Sequence, residues 1–174
     1  NLVVDGDRGP TGQALQRVAA TACLDAVADV LADWRSEPGT PAPGAVRGLG
    51  LACCWWFTAP GGSAASVRLN EDGTVTVYNG STEIGTGAVV LGLRELVARE
   101  LGIAVAAVRL VTGDTEAAPA DFGSEGSRTL YGAGNAVRGA AREVRRIVAQ
   151  VVAERLESDP ADLVFEGGRV HVAG

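Results

Sequence analysis

Apolar residues recur along the chain with two different periods. Leu15, Val18, Ala22, Val27, Val30, Leu31 and Trp34 fall at helical spacing across residues 13–34, which predicts one amphipathic helix. Pro38, Pro41 and Pro43 follow within residues 36–44. Each removes an N–H donor and clashes with the preceding turn, so this stretch reads as a linker. Residues 45–58, with Leu49, Leu51, Trp55, Trp56 and Phe57, predict a strand that stops before Pro60 and the Gly61, Gly62 turn.

The period then shortens to two. Val67 and Leu69 alternate with polar residues before Asp72-Gly73, and Val75 and Val77 do so after it, the signature of a hairpin. Val89, Val90, Leu93, Leu96, Val97 and Leu101 restore helical spacing and run into Gly102, a helix stop. Residues 105–111 predict a strand, and residues 112–126 a long loop of the kind that carries function. Ala133, Val137, Ala140, Ala141, Val144, Ile147, Val148, Val151 and Leu156 mark a helix of up to about eight turns, ended by Asp159-Pro160. A second hairpin about Gly167-Gly168 closes the sequence. Strands and helices mix without a repeating βαβ unit, so the predicted fold class is α+β, helices packed on a sheet. Residues 1–43 form a lead-in, helix and linker, and residues 44–174 the main domain.

Composition narrows the function. The 174 residues carry 15 basic and 21 acidic side chains, a net charge of −6. That balance lacks the electrostatic footprint of nucleic-acid binding. No apolar run is long enough for a membrane span, and no export signal opens the chain. Three cysteines, two of them adjacent at Cys53 and Cys54, give neither a disulfide framework nor zinc-ligand spacing. They read as buried free thiols in a reducing, cytoplasmic setting. The chain starts at Asn1 and contains no Met and no Lys. It is therefore expected to be an interior segment of a longer polypeptide.

Candidate chemistry concentrates in two glycine loops. Glu83-Ile84-Gly85-Thr86-Gly87-Ala88 and Gly123-Ser124-Glu125-Gly126-Ser127-Arg128-Thr129 each lead into a predicted helix. Unpaired helix N–H groups and the macrodipole favour an anion there, and glycine allows close approach. Ser127 and Thr129 add hydroxyls, and Arg128 adds a planar cation. Equally, Thr86 and Ser127 read as ordinary N-caps, with the glycines serving turn geometry. Arg128 opposes the positive helix end, so it needs a partner: an anionic ligand, or Asp114, Asp121 or Glu125. Asp114, Glu116 and Asp121 lack calcium-loop spacing and read as a solvated turn. His171 is the sole histidine and lies in the terminal hairpin. Gly132 and Gly134 fall inside a helix, where they suit packing. No metal-ligand set and no catalytic residue is assigned.

The two loops belong to a longer ordered set: Arg47-Gly48-Leu49-Gly50, Asn70-Glu71-Asp72-Gly73-Thr74-Val75, Glu83-Ile84-Gly85-Thr86-Gly87, Ala98-Arg99-Glu100-Leu101-Gly102, Gly113-Asp114-Thr115, Gly126-Ser127-Arg128 and Gly134-Asn135-Ala136-Val137. This order resembles the molybdopterin-binding large subunit of the xanthine dehydrogenase and aldehyde oxidase family over nearly the whole chain. The resemblance implies a two-layer α/β sandwich and a molybdopterin cofactor, expected as a dinucleotide, with molybdenum held by the pterin dithiolene and not by protein ligands. Cofactor contacts map onto Gly85, Thr86, Gly87, Ala88, Gly126, Ser127, Arg128 and Thr129. Thr86 stands where the family usually has Gln, and the family's downstream catalytic Gly-Glu motif has no counterpart here. The resemblance further implies an oxidoreductase that hydroxylates a small aldehyde or N-heterocycle with water. Its partners are the remainder of the large subunit and iron–sulfur and FAD domains or subunits. The alternative is a non-catalytic binding or assembly domain whose glycine loops only cap helices.

Overall fold

The computed structural model describes residues 2–10, 12–36, 39, 42–54, 56 and 58–173. The chain divides into two compact units, Asn1–Cys54 and Trp55–Gly174.

In the first unit, helix α1 (Ala20–Ser36) begins seven residues later than the apolar spacing predicts. Residues 13–18 are held otherwise. Leu15 N–H donates to Asp7 O at 2.8 Å, Gly6 N–H donates to Leu15 O at 2.9 Å, and the Asp5 carboxylate accepts Val18 N–H at 2.6 Å. Those contacts make a small β-bridged loop, Arg8 opposite Ala14, and cost the helix its first turns. None of the described α1 residues is buried, and Val27, Val30 and Trp34 are exposed. The strand expected at 45–58 is absent among the described residues, where Val46, Leu49, Leu51 and Trp56 are exposed. Without a neighbouring strand to take its N–H and C=O groups, an apolar run has no ladder to join. Trp55 and Phe57 lie outside the described residues. All three thiols are free, as expected, but exposed instead of buried, because Cys23 sits on α1 and Cys53 and Cys54 lie in this unpaired stretch.

The second unit follows the predicted order closely. Strands β1 (Ala65–Leu69) and β2 (Val75–Asn79) pair antiparallel about the Asp72-Gly73 turn, where Asp72 Oδ1 accepts Thr74 N–H at 2.9 Å. A π-helical turn (Ala88–Leu93) runs into α2 (Arg94–Leu101), capped by Gly102 in the left-handed region at φ 66°. A side chain at Gly102 would overlap the Phe165 carbonyl, so glycine is required for both reasons. A 3₁₀ turn (Val105–Ala107) precedes β3 (Val108–Thr112), which pairs parallel to β2 with Val77 opposite Leu110. The sheet is mixed, in the order β1-β2-β3, and holds a single strand–helix–strand crossover.

Helix α3 (Thr129–Leu156) and α2 cover this sheet. Its residues Ala133, Val137 and Ala141, spaced by four, meet Val75, Val77, Val89, Leu93, Val97, Leu101 and Val108 in the main core. Each fully buried valine or leucine there contributes about 1.5–3 kcal/mol. Gly134 faces Leu96 of α2, the packing role expected of it. Strands β4 (Leu163–Glu166) and β5 (Arg169–Val172) make a separate antiparallel ribbon, whose Leu163 packs on Ala149 and Ala153. The architecture is α+β, as predicted.

Candidate functional site

Parallel pairing of β2 and β3 sends both glycine loops out from the same sheet end. The first leaves β2 at buried Asn79, whose Nδ2 donates to Ala64 O and whose Oδ1 accepts Ser81 N–H. The second leaves β3 at Thr112, whose hydroxyl donates to Ser81 O. Further out, Ser124 Oγ donates to Thr82 O at 2.6 Å and ties the loops together. Ligands in open sheets with parallel strands bind outside such carboxyl ends.

Inside the first loop one carboxylate organises everything. Glu83 Oε1 accepts the N–H groups of Gly85 and Gly87 at 2.7 and 2.9 Å, and Oε2 accepts those of Val89 and Val90 at 3.1 and 3.3 Å. The Gly87 bond, then those from Val90, Val89 and Gly85, outweigh desolvation and lower the Glu83 pKa to about 2. The helix starts with a π turn because Leu91 and Gly92 both donate to Gly87 O. Thr86 is exposed; its hydroxyl accepts Ala88 N–H at 3.3 Å and lies 3.5 Å from Glu83 Oε1. Residues 85–88 therefore stand together at the surface, their amides largely met from within.

The second loop differs. No side chain caps the N-terminus of α3, so the N–H groups of its first turn, Thr129 onward, remain open. Gly126 at φ 47° and Ser127 at φ 59° are both left-handed. Ser127 is exposed and pays about 1–2 kcal/mol for that conformation. A side chain at Gly126 would overlap Ala59 Cβ, while Gly126 O accepts Ala59 N–H at 2.8 Å.

Arg128 lies beneath this turn, fully buried. Its guanidinium donates to Gly123 O at 2.6 Å, Ser63 Oγ at 2.7 Å, Gly62 O at 2.9 Å, Gly61 O at 3.0 Å and Asp121 Oδ1 at 3.2 Å. The Phe122 ring is 5.6 Å away. Of the partners considered for Arg128, the structure supplies Asp121, whose side chain is also fully buried. Burial pushes the Asp121 carboxyl up. Hydrogen bonding from Ser63 and the Gly123 N–H, the Ser81 hydroxyl and Arg128 outweigh that and hold it below its ordinary value. Asp121 Oδ2 and Ser81 Oγ are both buried and without a hydrogen bond.

The remaining candidates take no part in these contacts. Asp114 Oδ1 accepts the N–H groups of Glu116 and Ala117 and closes a turn. His171 is exposed on β5, opposite Val164. Among the described residues no group of three or more His, Cys, Asp and Glu side chains could hold a metal ion. Sequence reasoning missed Glu83, although a carboxylate two and four residues before glycines at a helix start is a readable anion. It also missed the Gly61–Ser63 acceptors, which come from more than sixty residues upstream.

The second unit is an α+β sandwich with two glycine loops at the ends of adjacent parallel strands. The chain belongs to the molybdopterin cofactor-binding domain family, whose model matches residues 26–174. It is 31% identical, over 98% of its length, to the xanthine dehydrogenase molybdenum-binding subunit of Escherichia coli O157:H7 and spans 24% of that protein. The CO dehydrogenase of Oligotropha carboxidovorans superposes with a TM-score of 0.59 at 30% identity, covering 65% of this chain and 14% of that one. Quinoline 2-oxidoreductase from Pseudomonas putida 86 shares the fold, with a TM-score of 0.62 at 24% identity over 97% of this chain and 23% of that one. The chain thus spans a quarter or less of these relatives. No helix among the described residues is long and apolar enough to cross a membrane.

Proposed function

We propose that the chain forms one wall of the molybdenum cofactor site in the large subunit of a cytoplasmic molybdenum hydroxylase. The observation that carries this reading is the junction of both glycine loops at one sheet end, tied by Ser124 and Thr82. The residues present suit a large polar ligand. Open N–H groups at the start of α3 and the exposed hydroxyls of Thr86 and Ser127 supply donors, and Gly85, with open space beside it, leaves the surface bare. Thr129 would contribute from the first turn of α3. Arg128 would act from beneath, holding Gly123 and Asp121 of the same loop against Gly61–Ser63, while Gly85, Gly87 and Ala88 frame Thr86.

When bound, the cofactor supplies the redox chemistry that converts an aldehyde or N-heterocycle to its hydroxylated product with water as oxygen source. Iron–sulfur clusters and FAD on partner domains or subunits would accept the electrons. This chain holds and orients; the catalytic base lies elsewhere in the large subunit. The measurement that tests the reading is molybdenum and pterin content of the intact protein carrying this segment. Wild type should contain both, and a Thr86→Val, Ser127→Ala double variant should contain less. A cofactor-free wild type would instead support a binding or assembly domain with purely structural loops, the reading favoured by the internal bonding of Glu83 and Arg128.

A further inference from the structure

We propose that Glu83 is the positioning residue of the first glycine loop, acting as a built-in anion that takes up four backbone N–H groups and fixes Thr86 at the surface. The inference rests on the cofactor-site reading above. Its basis is the distribution of contacts: both carboxylate oxygens are used, each by two amides, two from the loop (Gly85, Gly87) and two from the first residues of the π turn (Val89, Val90). One side chain therefore bridges the loop and the start of the helix. An anionic ligand cannot occupy amides that already have an anion. The loop consequently meets the cofactor through the Thr86 side chain and the bare faces of its glycines, and phosphate-like groups are left to the uncapped start of α3.

Three substitutions separate positioning from simple stability. Glu83→Gln keeps the length but turns one acceptor into a donor that faces two N–H groups. Glu83→Asp keeps the charge but shortens the reach, and Glu83→Ala removes both. In the full-length protein carrying the segment, hydrogen exchange over residues 85–90 should speed by about ten-fold or more in the Gln and Ala variants, as expected for losing charge-assisted bonds. Molybdenum per folded protein should fall in the order wild type, Gln, Ala, and the Mo(V) paramagnetic resonance of what remains should change. The Asp variant should resemble Ala, because geometry and not charge alone is at stake. Unchanged molybdenum and resonance in folded Glu83→Ala, with wild type loaded, would overturn the positioning role while leaving the cofactor reading intact. A wild type without molybdenum would overturn both.

Discussion

Replacing Arg128 with Met tests whether the second glycine loop is built on a buried ion pair. Met matches the arginine stem in length but offers no donor. The change strands Asp121, whose side chain is fully buried, and leaves Gly61 O, Gly62 O, Gly123 O and Ser63 Oγ without their shared partner. Breaking a buried pair from one side costs about 3–5 kcal/mol. At roughly 2–4 °C per kcal/mol for a chain of this size, the melting temperature should fall by about 10 °C. Urea titration gives the free energy directly. Asp121→Asn on the Met background should restore at least about 1 kcal/mol, because the unpaired charge is then gone. Acid should erase the difference. Asp121 has a lower pKa folded than unfolded, so its contribution is complete above the unfolded value near 4 and is lost as pH falls through the folded one. A loss below about 1 kcal/mol for Arg128→Met, or strict additivity with Asp121→Asn, would refute this reasoning.

Other outcomes follow from the same loops. Glu83 should titrate near pH 2, well below an ordinary glutamate, and the amide resonances of Gly85, Gly87, Val89 and Val90 should shift together in an NMR titration. The order these bonds provide is complete above the usual glutamate range and disappears as pH falls through about 2. Gly126→Ala should destabilise by about 1–3 kcal/mol in thermal melts, since it combines a left-handed backbone with overlap onto Ala59. Ser127→Gly should hold or raise stability by up to about 1 kcal/mol while removing a hydroxyl donor from the surface. Molybdenum analysis of that variant separates the two effects.

Periodicity located the hairpin at Asp72-Gly73, the helix stopped by Gly102 and the long α3 because local pattern and tertiary packing agree there. It failed where long-range hydrogen bonding decides. Residues 13–18 have helical spacing, yet Asp5 and Asp7 draw their amides into a β-bridged loop. Residues 45–58 look like a strand, but a strand exists only with a neighbour, and sequence does not supply one. The two glycine loops read alike as anion sites on paper. What separates them is Glu83, whose side chain folds back over its own loop, and the Gly61–Ser63 carbonyls and hydroxyl that converge on Arg128 from far along the chain. Glycine spacing cannot report either.

Helix α3 joins two cores of unequal size. Among the described residues, eleven buried side chains make up the core between its first half and the mixed sheet, whereas the core at the β4–β5 ribbon has three, Ala149, Ala153 and Leu163, with Val152, Phe165 and Val170 partly buried around them. Free energy of local opening scales with such burial, so the ribbon should open more readily than the sheet, although Gly168 N–H also ties it to Gly102 O at the end of α2. A helix of 28 residues is about 42 Å long. Fluctuations of the ribbon are thus damped before they reach Ser127 and Thr129 at the opposite end. Within the second unit the smaller core thus lies at the end of α3 remote from the glycine loops, and a chain broken near Leu156 would lose the ribbon first.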